Sequence, residues 1–365
     1  MASSMGSPIS GQLALGIGPM NAASQARIWA MSARREGIAS VSFAHDGPFA
    51  RLLNSSIRVT APADVHLPHY RLAPSWFRRV ALRQSLQGLT HLLNEGNVPF
   101  SGDPRSTSFA SGDAKLIADL GLRSGVVFHG TDARDPYLSM SRHDYSFFRD
   151  ADADWIASVA QRAAQNRAQV EELGVQTFVT TPDMLLHVPG ATLLPISVDA
   201  TRWSDPSQAL SRGVPRVLHR SSRSNLTKGS RHIIPVLEEL HALGRIVMMK
   251  TPVVSNERMV ELVKSADIVV DQLQTGTYGV TGVEAMAAGR LVVANIDAHL
   301  ALSDQDRPPI VHATPASFRE TFLRILASLD EMRQTAAQGP EFVRRVHDGT
   351  EAARVLRAFL SSSSG

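Results

Sequence analysis

The sequence contains no cysteine, which excludes disulfides, thiolate zinc sites, iron–sulfur clusters and a cysteine nucleophile. It has no run of about 18 apolar residues, the length needed to cross a bilayer as a helix. Neither charge sign is in excess: 37 Lys and Arg against 34 Asp and Glu leave a formal charge of +3, too balanced for a long non-specific footprint on nucleic acid. Lysine is scarce, standing only at Lys115, Lys228, Lys250 and Lys264. Met1 to Gly11 shows no basic region followed by an apolar stretch, so no secretory leader is expected and a cytoplasmic location is the default. What is present is ordinary globular composition, 43% hydrophobic and 19% charged over 365 residues, a length that suits two domains.

The pattern along the chain is one of alternating strands and helices. Leu13 to Ile17 reads as a strand, broken by Gly16 and Gly18 and followed by a helical pattern over Ala22 to Arg35. Ile38 to Phe43 and Ser56 to Thr60 read as further strands, and Ser75 to Leu93 as one helix. Lys115 to Leu120 is a short helix, Gly125 to Phe128 a buried strand, Trp155 to Leu173 a long helix and Gln176 to Thr180 a strand. Prolines and glycines punctuate His187 to Pro215, where a domain boundary is expected. A second alternating run extends from Arg216 to Asn295, and Ala316 to Leu360 reads as helices. The expectation is α/β, with two Rossmann-like doubly wound domains facing across a cleft: residues 1–190, completed by a C-terminal helix at 348–361, and residues 191–347.

Three segments could carry chemistry. In Asp267 to Val293 a buried strand ends at Asp271, a glycine loop follows through Gly276, Thr277, Tyr278 and Gly279, and a helix opens with Val280 and Thr281. Free amides at such a helix start form a seat for phosphate. Glu284, one turn inside, suits a vicinal diol such as that of ribose, and it suits equally well the ordinary preference for an acid near a positive helix end. In His219 to Gly229, Arg223 and Lys228 stand beside another helix start, where they could hold a diphosphate. A solvated basic loop is the plainer reading of that segment. His129 closes the strand Val126 to Phe128 and should face the cleft, with Asp132 and Arg134 ordering its loop, although a single histidine is more often structural than catalytic.

The stretch Asp271, Gly279, Glu284-Ala-Met-Ala287 and Gly289 resembles the retaining nucleotide-sugar glycosyltransferases of family 4, which have the GT-B fold. The resemblance implies that the diphosphate lies on Arg223, Lys228 and the Gly279 to Thr281 amides, and the ribose on Glu284. It places the donor sugar and the cleft at Gly16, Gly18, Gly276, Thr277 and Tyr278. His129 and Asp132 become the catalytic candidates. The chain departs from the family pattern at Gly276, where the first of two glutamates spaced eight apart would stand.

The function the resemblance implies is transfer of a sugar from a UDP- or GDP-sugar, the co-substrate, to a saccharide, natural-product or lipid-linked acceptor, with retention and without metal or other cofactor. The alternatives are a nucleotide-sugar epimerase or hydrolase of the same fold and a non-catalytic nucleotide-sugar binding protein, the latter kept open by Gly276. Asp150-Ala-Asp-Ala-Asp154 lacks the buried strand a metal-binding acidic triplet needs. The basic stretch Arg71, Arg78, Arg79 and Arg83 around Trp76 and Phe77 reads as a surface helix, allowing at most peripheral membrane contact. No specific nucleic-acid partner is expected.

Overall fold

The structure is a computed structural model, and its description covers residues 13–45, 62–67, 74–101, 107–220, 226–251, 254–297 and 307–362. Two all-parallel sheets organise the chain. In the first, β1 (Ala14–Gly18), β2 (Ala39–His45), β3 (Val65–Leu67), β4 (His91–Glu95), β5 (Arg123–Phe128), β6 (Gln176–Val179) and β7 (Thr192–Leu193) lie in the order β3-β2-β1-β4-β5-β6-β7. The second contains β8 (Arg216–His219), β9 (Val247–Met248), β10 (Ile268–Val270), β11 (Leu291–Ala294) and β12 (Ile310–His312), in the order β12-β11-β10-β8-β9.

Burial on both faces explains the near-continuous apolar strands. Successive residues of β4 and β5 serve opposite cores: Leu92, Val126 and Phe128 pack on one side with Phe43 and Ile117, while Leu93 and Val127 pack on the other with Ile17 and Trp29. The C-terminal helix Thr350–Ser361 returns to the first sheet, where Ala352, Leu356 and Phe359 join the Trp29 side. The second sheet is likewise sandwiched, with Leu218, Val269 and Val292 facing Val283 and Met286, and Val217, Val270 and Val293 facing Phe318 and Phe322.

Each strand order reverses once, and these reversals position the site. In the first sheet the crossover direction changes between β1 and β4, and in the second between β8 and β10. Loops leaving the carboxyl ends of such neighbours diverge and open a crevice. The two crevices are held face to face. Phe147 N donates to Gln274 O at 3.0 Å, while Asp150 accepts from Arg231 at 2.6 Å and also from Gln274.

The expected helix over Ser75 to Leu93 is shorter in the structure. It ends at Ser85, the chain turns through Gly88 in the left-handed region at φ 82°, and His91–Glu95 is the central strand β4 pairing with both β1 and β5. Leu86, Leu89, Leu92 and Leu93 imitate helical spacing because a strand buried on both faces has no polar alternation. The short strands β3, β7 and β12 escaped the sequence pattern. The expected strand Ser56 to Thr60 lies outside the described residues.

Candidate functional site

A cleft of roughly 290 Å³ opens between the two sheets, lined by Ala22, Gln25, His129 and Thr181 from one side and Thr277, Gly279 and Val280 from the other, among other residues. Its second wall is built on the β8/β10 reversal. His219, at the end of β8, is buried between Val270 O at 2.8 Å and Ser230 Oγ at 2.9 Å. Burial, followed by the Lys228 charge among the lowering influences, pushes its pKa down to about 4, so it is a neutral tie between strand and helix.

Asp271 follows β10 and is fully buried. One oxygen accepts Gly279 N at 2.6 Å and the other accepts Lys228 Nζ at 2.8 Å. Lys228 Nζ also donates to Thr281 Oγ1 at 3.1 Å. The helix Val280–Ala287 has no capping side chain at Gly279, so its first-turn N–H groups face the cleft without a cap. Glycine keeps the space around Asp271 open: a Cβ on Gly282 would lie 3.0 Å from its carboxylate. Lys228, Gly279, Val280 and Thr281 therefore form one cluster. Arg223, the other expected diphosphate ligand, lies outside the described residues. Arg220, passed over in the sequence, acts with Lys228 on the charge state of Glu284.

Glu284 is buried beneath this cluster, and its Oε2 has no hydrogen-bond partner. Burial, with Asp271 adding to it, pushes its pKa up to about 7 despite Arg220 and Lys228. It shares a narrow cavity with Asn256, Asp199 and Arg202, and Asn256 Oδ1 is likewise buried and unpartnered. Both acceptors line the same cavity and are open to a donor that enters it. Asn256 was not legible as a site residue, since the helix-opening Ser255-Asn256-Glu257 carries no motif.

The loop after Asp271 is self-bonded. Gln272 Nε2 and Thr275 Oγ1 both donate to Thr277 O, at 2.6 and 3.0 Å, and Thr277 Oγ1 is left buried without a partner at the cleft. The hydroxyl of Tyr278 is engaged by His347 Nε2 at 3.0 Å, and His347 Nδ1 meets Ile196 O at 2.7 Å. Tyr278 thus fastens the loop to the connection between the lobes and does not present its hydroxyl to the cleft. Gly276 takes φ 73°, and a Cβ there would lie 3.3 Å from Asp297 Cβ and 3.4 Å from His143 Cε1. A glutamate at 276 would be strained and crowded; the space beside it is filled by the His143–Asp297 pair, whose closest approach is 3.4 Å.

On the opposite wall, His129 bonds Glu95 Oε1 through Nε2 at 3.0 Å and stacks on Trp29 with ring centres 5.9 Å apart. Asp132 accepts His129 N at 2.9 Å and Gly130 N at 2.6 Å; its carboxylate fixes the turn that carries His129. Arg134 pairs with Asp183. Neither Gly16 nor Gly18 is among the residues lining the cleft described above. A Cβ on Gly16 would lie 2.7 Å from Leu89 Cδ1 and one on Gly18 2.7 Å from Phe43 O, so both are packing positions of β1 against its neighbours. Asp150 and Asp152 are spent on the interlobe contact and on capping the helix Ala153–Leu173. Among the described residues no group of three or more His, Asp or Glu side chains is placed to hold a metal ion, and no helix is long and apolar enough to cross a membrane.

No family model matches the chain, and no curated protein matches it. Solved structures do. The chain is similar to a glycosyltransferase from Rickettsia africae ESF-5, at 12% identity over 97% of this chain and 100% of that one, with a TM-score of 0.59. It is similar to Anabaena Alr3699/HepE, solved with UDP and glucose, at 13% identity over 96% and 100% with a TM-score of 0.58. A putative UDP-N-acetylglucosamine 2-epimerase from Listeria monocytogenes shares the architecture at 14% identity over 95% of both chains, with a TM-score of 0.51. The fold is GT-B, the architecture of these neighbours.

Proposed function

We propose that this chain is a glycosyltransferase that moves a sugar from a nucleoside diphosphate sugar to a saccharide, natural-product or lipid-linked acceptor, with retention at the anomeric carbon and without a metal. The acceptor side is residues 1–190 with helix 348–361, and the donor side residues 191–347. The observation that carries the nucleotide reading is the pair of buried, unpartnered acceptors Glu284 Oε2 and Asn256 Oδ1 on one cavity. The 2′- and 3′-hydroxyls of a ribose are the donor pair they fit.

With the ribose there, the diphosphate falls beside Lys228 and the first-turn amides of Val280 and Thr281. A cation and a helix end in that place stabilise the charge that builds on the leaving phosphate as the glycosidic bond breaks. The donor sugar then lies toward Thr277, whose hydroxyl lacks a partner, and His129 reaches it from the other lobe. Retention is supported by the family resemblance of the Glu284 to Gly289 segment. A thermal-shift screen of nucleosides, nucleotides and nucleotide sugars tests the reading, because a ligand of the folded state raises the melting temperature by mass action. A shift with UDP- or GDP-sugars, followed by sugar transfer to an acceptor, is expected; nucleotide-sugar isomerisation without an acceptor, or no shift with any of them, would reject it.

A further inference from the structure

Four N–H groups converge on the carboxylate of Glu95, which is wholly buried at the end of the central strand β4. Met20 N, Asn21 N and Ala22 N donate to it at 3.0, 2.7 and 3.3 Å, and the His129 ring meets it at 3.0 Å. That donor set suits an ionised carboxylate, which can only accept. The loop it holds leaves β1 at the reversal point of the first sheet and is strained: Asn21, Ala23 and Ser24 all occupy the left-handed region, at φ 48°, 47° and 69°. Non-glycine residues stay there only when their surroundings over-determine them, and such strain gathers at binding sites. Ala22, Ala23 and His129 line the cleft together.

We infer that Glu95 is a positioning residue that sets His129 and the 20–24 loop as one unit, so that His129 presents Nδ1 to the cleft with a carboxylate held against Nε2, which favours the charged, donating ring. Nε2 is committed to Glu95, the ring is clamped on Trp29, and Nδ1 makes no hydrogen bond among the described residues. The charged groups around the ring agree. Burial alone would lower the His129 pKa, but the Glu95 hydrogen bond and charge, with Asp132, outweigh it and raise the pKa above the ordinary histidine value. Trp29, stacked on the ring, is uncharged, and Arg134 on the same wall is paired with Asp183. A protonated ring can donate to a sugar hydroxyl or to the negative charge that develops on the leaving group. The chemical role rests on the transferase reading; the coupling of Glu95 to His129 does not.

Histidine titration by 15N NMR of the full-length chain without ligand tests it, with the His129 signals identified by their loss in His129→Ala. In the parent, the His129 midpoint should lie above the ordinary histidine range, with both ring nitrogens protonated at pH 6.5. Glu95→Gln should lower that midpoint by about one pH unit or more, the scale of losing an adjacent opposite charge. The alkaline limb of kcat/KM should move down with it, while the donor KM changes less than twofold. An unmoved midpoint, or a neutral His129 ring in the parent at pH 6.5, would overturn the inference. The parent spectrum decides even if Glu95→Gln does not fold. A moved midpoint without transfer from any nucleotide sugar would reject the transferase reading and leave the Glu95–His129 coupling standing.

Discussion

Lys228 Nζ and Asp271 Oδ1 are 2.8 Å apart, joining a side chain 17% exposed to one with no exposure at all. The pair spans the β8/β10 crevice and places the only lysine of this loop against the start of the helix Val280–Ala287. Because the aspartate is buried, the lysine serves stability as well as the ligand binding proposed for it.

Lys228→Ala is therefore expected to lower stability by about 3 kcal/mol, the scale for stranding one member of a buried pair. It should also weaken nucleoside diphosphate binding by more than about 1.5 kcal/mol, the low end for charge-assisted contacts. Chemical denaturation and calorimetry read the two effects separately. Normal affinity in the folded variant would remove Lys228 from the diphosphate site.

Glu284→Gln should separate affinity from stability. The folded-state carboxyl titrates at about 7, above its ordinary 4.5, so its contribution to stability is full below the unfolded value and is lost as pH rises through about 7. At pH 8 the parent carries a buried charge that glutamine does not. The unliganded variant should melt higher than the parent at pH 8, by ~2 °C or more, with the gap closing at pH 4, while UDP or GDP binds more weakly. A lower melting temperature at pH 8 with unchanged affinity would mark Glu284 as a structural helix residue.

His129→Ala should reduce turnover roughly a hundredfold, the scale of a lost positioned polar group at a reacting centre. Nucleotide affinity should hardly move, because His129 comes from the lobe opposite the diphosphate cluster. Steady-state kinetics alongside nucleotide binding measures both. Near-normal turnover would return His129 to a structural role.

Activity should survive EDTA, because in the proposed site Lys228 and the uncapped helix start take the place of a metal's positive charge. Loss of transfer in chelator, restored by magnesium or manganese, would contradict this.

What the sequence made legible was local. The run Ile268 to Asp271, its glycine loop and the Glu284 helix are contiguous, and glycine at 279 and 282 lets the chain pass close to Gln272 and Asp271. Glu95 was hidden for the opposite reason. Its partners lie 34 and 73 to 75 residues away and meet only because β1, β4 and β5 are neighbours in a reordered sheet. It also ends a leucine-rich run whose spacing imitates a helix. At Gly16 and Gly18 a glycine at a strand end reads the same whether it admits a ligand or makes room for a neighbouring side chain or backbone, and the Cβ positions here face Leu89 and Phe43. Tyr278 faces the cleft by its place in the loop, yet its hydroxyl is taken by His347, 69 residues further on.

The most direct test of the nucleotide site is calorimetric titration of the parent chain with UDP and GDP against their 2′-deoxy counterparts. If Glu284 and Asn256 hold the ribose diol, the 2′-deoxy form of whichever nucleotide binds should bind about tenfold or more weakly, because a buried acceptor is then left unpaired. Equal affinity for the ribo and deoxy forms, or no binding of either nucleotide, would contradict the assignment.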